Sequence, residues 1–182
     1  DEVLASTAKL LRRFHDATVS FVPPPDATWS TEMADPSGGD VFCHNDVCPE
    51  NVVYRDGEAV ALLDFDFAAP GSRAYDVACF ARMCVPIDTE EDAQRTGRPG
   101  LDPIARLRVV ADAYGLSSLE RVELVEVLDV QMERGGEFVR RHVDAGEPAF
   151  IEMWTMMGGQ VRFDRRRDWF AAHRSEFAAA LR

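Results

Sequence analysis

Phe42-Cys43-His44-Asn45-Asp46-Val47-Cys48-Pro49-Glu50-Asn51, answered thirteen residues after Asn51 by the aspartate of Leu62-Leu63-Asp64-Phe65-Asp66, is the stretch that decides how this sequence is read. Between the two blocks lie Val52-Val53-Tyr54, the pair Asp56-Gly57 and an apolar run from Ala59 to Leu63. Asp-Gly between two β-prone runs is a strong hairpin signal. Such a hairpin presents the polar loop from His44 to Asn51 at its front edge and Asp64 just beyond its second strand. The pattern is H-x-D-x-x-x-x-N, a hairpin, then an apolar strand ending in Asp-Phe.

Those residue types suit phosphoryl transfer. The reaction asks little covalent chemistry of a protein, but it needs a carboxylate to orient the attacking hydroxyl and hard oxygen ligands to hold Mg²⁺ on the phosphates. Asp46 can accept the hydroxyl proton. Asn51, through its amide oxygen, and Asp64, through its carboxylate, suit a hard cation that keeps waters and shares oxygens with a nucleotide. A lone Asp-Gly turn or a single histidine would carry no such meaning, and Asp66 and Asp76 taken singly read as caps or loop braces.

Outward from this block, residues 2 to 18 place Val3, Leu4, Ala8, Leu11, Phe14 and His15 at helical spacing, with Arg12 and Arg13 turned outward. From Val22 to Asp40 the run Pro23-Pro24-Pro25, Pro36 and Gly38-Gly39 breaks both helix and ladder. After Asp64 the sequence predicts helices over Tyr75–Met83, Pro103–Tyr114, Leu119–Val143, Ala149–Val161 and Arg165–Leu181, with Gly115, Gly146 and Gly158-Gly159 as stops or breaks. Trp169, Phe170, His173, Phe177 and Leu181 form one apolar stripe, which makes His173 part of a packed face. The fold class is α+β, mostly helical, with a hairpin carrying the candidate loops.

A chain of 182 residues with 46% hydrophobic content is long enough to bury one sizeable core. Its formal charge of −12 disfavours a nucleic-acid or anionic-membrane partner, both of which need clustered cations. Neutral or cationic partners are easier to accommodate, although acidity also serves plain solubility. Nineteen arginines against the single Lys9 read as codon bias in the source. Cys43, Cys48, Cys79 and Cys84, with His44 beside the first, raise the question of zinc. Cys79 and Cys84 fall in a predicted helix, where positions five apart point in different directions, so reduced, mostly buried thiols are expected instead. No apolar run approaches a membrane span, the start has no secretory leader pattern, and a cytoplasmic location is expected. The sequence starts without methionine, which leaves room for residues upstream.

At His44, Asp46, Asn51 and Asp64 the chain resembles the protein-kinase-like fold, and within it the aminoglycoside phosphotransferase family of small-molecule kinases. The resemblance covers most of the chain. Leu10-Leu11-Arg12-Arg13-Phe14-His15 is similar to the family's helix before the catalytic loop. The run from Leu62 through Asp64-Phe65-Asp66, Gly71 and Tyr75-Asp76-Val77-Ala78 is similar to its metal-binding aspartate, Gly-turn and Asp-x-Ala helix. The resemblance implies the C-terminal lobe of such a kinase. Asp46 would then be the catalytic base, Asn51 and Asp64 the Mg²⁺ and nucleotide ligands, and Asp76 a brace for the loop that His44 orients. ATP or GTP would be the donor, and a hydroxyl of an aminoglycoside-like molecule, amino alcohol, sugar or related compound the acceptor. Glu120, Glu123, Glu126, Asp129, Glu133 and Glu137 would favour a cationic acceptor where they do not simply face solvent.

Asn45 departs from the family's common glycine, and Asp66 from the glycine that ends the protein-kinase DFG triplet; both put loop conformation in question. The larger departure is that neither a glycine-rich nucleotide loop nor a strand lysine lies in residues 1–182. The expectation is one catalytic and substrate-binding lobe without its nucleotide lobe. A degenerate lobe that binds a small molecule without turnover therefore stays open. So does a haloacid-dehalogenase-like phosphatase built on the D-x-D of Asp64 and Asp66. Against the phosphatase stand Ala68 in place of its threonine, the lack of any later lysine and the helical remainder.

Overall fold

The computed structural model describes residues 1–182, which form seven α-helices and four short strands. Helix α1, Glu2–Thr18, buries Leu4, Ala8, Leu11 and His15 along one face. Its first half also buries Ser6 and Thr7, whose hydroxyls reach the hairpin: Ser6 donates to Glu58 and Thr7 meets the Tyr54 hydroxyl. Arg12 keeps a partly exposed side chain, as its spacing suggests, yet it also reaches across the fold. Its guanidinium lies over the Tyr114 ring and bonds Asp16.

Strands β1 (Val41–Cys43) and β4 (Ala69–Gly71) pair antiparallel, and β2 (Val52–Arg55) pairs antiparallel with β3 (Glu58–Leu62) around the Asp56-Gly57 turn. Asp56 and Gly57 both take positive φ, as that turn requires. Strand β4 is not expected from the sequence. Three residues with a proline in the middle carry no periodic signal, and only the pairing of Phe42 with Pro70 across the β1–β4 ladder defines the strand. Gly39 runs so close to this ladder that a Cβ there would collide with the backbone of Gly71 and Ser72.

The helices after Asp64 start and stop where local chemistry directs. Helix α2, Arg73–Cys84, begins on Ser72, whose side chain accepts from Tyr75 N–H. Helix α3, Glu90–Arg95, is short and was not predicted, and Thr89 caps it. Helix α4, Pro103–Tyr114, has Asp102 as its cap, Pro103 in its first turn and left-handed Gly115 at its end, which is why its limits are legible in sequence. Helix α5, Ser118–Asp144, opens on a capping box between Ser117 and Glu120. Helix α6, Pro148–Met157, stops four residues short of the predicted end because Gly158 is left-handed, and α7, Gly159–Ala180, starts there. Gly146 marks the turn after α5.

The core lies where α1, α2, α4, α5 and α7 meet, around Leu11, Val77, Phe80, Leu107, Leu124, Leu128, Phe170 and Phe177. Each of these side chains gains about 1.5–3 kcal/mol from leaving water. His173 stacks on Trp169 along the predicted α7 stripe. The molecule is thus an α+β lobe, mostly helical, and no helix is long and apolar enough to cross a membrane. Its two small sheets meet the helical body at α1 and α2.

Candidate active site

The loop after β1 hangs from a single carboxylate. Asp76, in the first turn of α2, is fully buried, and its Oδ2 accepts from His44 N–H at 2.7 Å while Oδ1 accepts from Asn45 N–H at 2.8 Å. His15 Nε2 reaches the same Oδ2 at 2.9 Å, and its Nδ1 meets the Tyr114 hydroxyl at 2.6 Å. Burial alone would raise the pKa of Asp76. The bonds from His15, His44 and Asn45 outweigh it and hold the carboxyl below its usual value.

Asn45 has φ +64°, so it adopts the left-handed conformation that a glycine at this position would supply. Asparagine tolerates that region better than most residues. Its side chain stabilises the bend by donating from Nδ2 to Phe67 O at 2.9 Å. The departure from glycine thus leaves the bend intact.

His44 is buried, its Nε2 donates to Leu63 O at 2.8 Å, and its Nδ1 accepts from Asp46 N–H at 3.3 Å. A neutral ring with the proton on Nε2 satisfies both bonds. His44 thereby ties the loop to the end of β3, and Leu63 N–H adds a second tie by donating to Asn51 O at 2.9 Å. Asp64 follows directly, exposed and with φ +59°. The turn swings its carboxylate out of the strand, close enough for its charge to act on Asp46.

Asn51 closes the short 3-10 turn Pro49–Asn51 and is buried. Its Nδ2 spends both hydrogens on Asp46, at 2.9 Å to the backbone oxygen and 2.9 Å to Oδ2. Oδ1 is then the atom left for a cation, and an amide oxygen with a nearby exposed carboxylate is a donor set that fits Mg²⁺. Asp46 itself is half-buried. Burial raises its pKa, and the opposing influence of Arg82, His44 and the Asn51 bond does not cancel that rise, so the carboxylate is more basic than usual.

The cysteines brace this loop rather than gather around an ion. Cys79 Sγ donates to Asn45 O at 3.0 Å, Cys84 Sγ approaches Val47 O at 3.6 Å, and Cys43 Sγ donates to Ser72 O at 3.3 Å. All four are free thiols. Burial pushes Cys79 and Cys84 up to about 12 and Cys48 to about 11. His15, Cys43 and Asp76 do place ligand-type atoms within 4.8 Å of one another. Their polar atoms are already engaged with one another, Tyr114 and the backbone of Ser72, His44 and Asn45, which makes the group a hydrogen-bonded brace.

The five residues singled out from sequence converge: His44, Asp46, Asn51 and Asp76 through direct bonds, and Asp64 through its neighbour Leu63. The acidic residues of α5 are less available. Glu126 and Asp129 pair with Arg174, and Glu120 is engaged in its cap. Sequence reasoning gave no role to His15, Tyr114 or Arg82. His15 stood in the stretch Arg13-Phe14-His15, but its partners lie 61 and 99 residues away and leave no local signal.

Residues 26–110 match the model of the phosphotransferase enzyme family, a span that contains the loop, the hairpin, Asp64 and α2. Among characterised proteins, the trifolitoxin immunity protein of Rhizobium leguminosarum bv. trifolii is 28% identical over 190 aligned residues, covering 100% of this chain and 70% of that protein. The homoserine kinase of Gluconacetobacter diazotrophicus is 37% identical over 71 residues, which is 38% of this chain and 22% of that enzyme. No solved structure matches. Through residues 26–110, the segment that builds the site, the chain is similar to the phosphotransferase enzyme family.

Proposed function

We propose that this chain carries the phosphoryl-transfer site of a small-molecule kinase, which moves the γ-phosphate of ATP or GTP to a hydroxyl of its acceptor. Asp46 is the base, Asn51 Oδ1 and Asp64 hold Mg²⁺ on the nucleotide, His44 orients the loop and Asp76 braces it. The observation that supports this reading most directly is the Asn51 amide, fixed on Asp46 through Nδ2 with its oxygen left over. That arrangement sets an amide oxygen beside a carboxylate, which is what a metal ligand next to a proton acceptor would need. Asn51 and Asp64 would hold Mg²⁺, which would supply charge neutralisation at the phosphates. The protein's own part is to hold the hydroxyl at Asp46, whose burial-raised basicity favours taking the proton. Residues 1–182 act in this reading as the catalytic and acceptor-binding lobe, in an intracellular setting.

The test is Asp46→Ala, in the chain together with any residues its gene encodes before Asp1. Turnover of a responsive acceptor is expected to fall by about two to four orders of magnitude, the usual loss for a general base, with nucleotide affinity little changed. Unchanged turnover would sink the assignment.

A second reading is favoured by the relative that aligns along the entire chain, which is named for immunity to trifolitoxin. In it the lobe protects by binding a toxic molecule without transferring phosphate. Acceptor binding that persists with no phosphorylated product, in wild type and Asp46→Ala alike, would favour that reading.

A further inference from the structure

The hydrogen bonds beneath the candidate loop run in one direction, and that direction is set by Arg73 at the start of α2. A guanidinium has five N–H donors and no acceptor, so the 3.3 Å contact of Arg73 Nη1 with the Tyr114 hydroxyl uses the phenol oxygen as acceptor. Tyr114, at the end of α4, is buried. Its own hydrogen is left with one partner, His15 Nδ1 at 2.6 Å. The phenol therefore donates to Nδ1, and the His15 proton sits on Nε2, which donates it to Asp76 Oδ2 at 2.9 Å. Moving that proton to Nδ1 would strand the phenol hydrogen in a buried region and turn a ring lone pair on the carboxylate.

This series of donors ends at the loop. Asp76 accepts from His15 Nε2 and from the amides of His44 and Asn45, and Asp46 follows Asn45 directly. Burial pushes the Tyr114 hydroxyl up to about 12, against the opposing influence of Arg73 and Arg12, so it stays a donor across the neutral range. At the outer end, Asp16 bonds Arg73 Nη2 at 2.8 Å and fixes the guanidinium. The hydrogen bonds of Arg73, Tyr114 and His15 reach none of Asp46, Asn51 and Asp64, so their influence on the site passes through Asp76.

We propose that Tyr114 is a positioning residue for phosphoryl transfer: its hydroxyl, oriented by Arg73, keeps the His15 proton on Nε2 and thereby keeps Asp76 seated under the segment that carries Asp46. The inference rests on the phosphotransfer reading above. It adds a residue of α4 whose hydroxyl meets only His15 and Arg73 and exchanges no proton with a substrate. Without that hydroxyl, Arg73 loses an acceptor and nothing selects which nitrogen of His15 carries the proton. Asp76 then loses a fixed donor, and the amides of His44 and Asn45 shift with it. A reacting group displaced by about 1 Å loses about a hundredfold in rate. Asn51 keeps its own tie to the end of β3, through Leu63 N–H, so nucleotide binding is insulated from the change.

The experiment uses Y114F, in the chain together with any residues its gene encodes before Asp1, with Mg-ATP as the nucleotide and water as the acceptor. Long-range proton–nitrogen correlation spectra of the histidine rings report which nitrogen of His15 carries the proton, and hydrogen exchange followed by NMR reports the amides of His44 and Asn45. The wild type is expected to show one His15 tautomer, with its proton on Nε2. In Y114F a mixture should replace it, and the two amides should exchange at least about tenfold faster while those of α7 keep their rates. The kcat for ADP release should fall about ten- to a hundredfold, with the KM for Mg-ATP changed by less than about twofold. R73M, which removes the donor at the edge of the network, should act in the same direction and serves if Y114F fails to fold. R73K, which can still only donate, should restore most of the rate. A wild-type His15 proton on Nδ1, an unchanged kcat in Y114F, or exchange that quickens uniformly across the fold would overturn the proposal. Failure of the phosphotransfer reading looks different: the tautomer and the two amides respond to Y114F, but ADP release does not depend on Asp46.

Discussion

One carboxylate organises the site, and its replacement should be felt throughout the loop. Asp76 satisfies the amides of His44 and Asn45 and the ring of His15 in a region closed to water. Asp76→Ala would strand these donors, at about 1–3 kcal/mol for each buried group left without a partner. A loss of at least about 3 kcal/mol is therefore expected in urea unfolding; a loss under about 1 kcal/mol would show that the loop stands without this anchor. At this scale the sequence was informative for residues that share one loop and silent for those that meet across the fold. Asp46 and Asn51 are five positions apart, and their spacing predicts their meeting. His15 gave no such signal, because Tyr114 and Asp76 meet it only across the fold.

Elements with strong local signals were legible, and those defined by long-range pairing were not. The Asp102-Pro103 start and Gly115 stop delimit α4 from within, and Asp56-Gly57 delimits the hairpin. By contrast, β4 exists because Phe42 lies opposite Pro70, and α3 is six residues held by the Thr89 cap and by Arg165 bonding to Asp92. The approach of Gly39 to Gly71 gives a prediction at this scale. Gly39→Ala places a methyl group into backbone that cannot yield, so β1 and β4 must separate. The expected result is faster amide exchange at residues 41–43 and 69–71 with little change in α4 or α7, measured by hydrogen exchange and mass spectrometry. Uniform protection in the variant would contradict it.

Charge pairing shapes the molecule as a whole. Asp16, Asp76, Asp92 and Glu120 each have burial raising their pKa. Arg12 and Arg73 overcome that rise at Asp16, His15 at Asp76, Arg165 at Asp92 and Ser117 at Glu120, and all four end below their ordinary values. Each therefore binds fewer protons in the folded chain than in the unfolded one. The stability they contribute is present above the unfolded value, 3.8 for the aspartates, and is lost as pH falls through the folded value. Urea midpoints should stay level from about pH 7 to about pH 5 and drop steeply below about pH 4. A level midpoint down to about pH 3 would mean that these pairs contribute nothing.

The thiols of α2 carry a practical consequence. At neutral pH they remain protonated, and a protonated, enclosed sulfur is a poor nucleophile. Because Cys79 is fully buried and directed at the carbonyl of Asn45, an alkylating reagent can reach it only after the segment around Asp46 has lifted from α2. The protein thus contains its own chemical clock: the rate at which this sulfur is modified counts how often the loop around Asp46 comes loose.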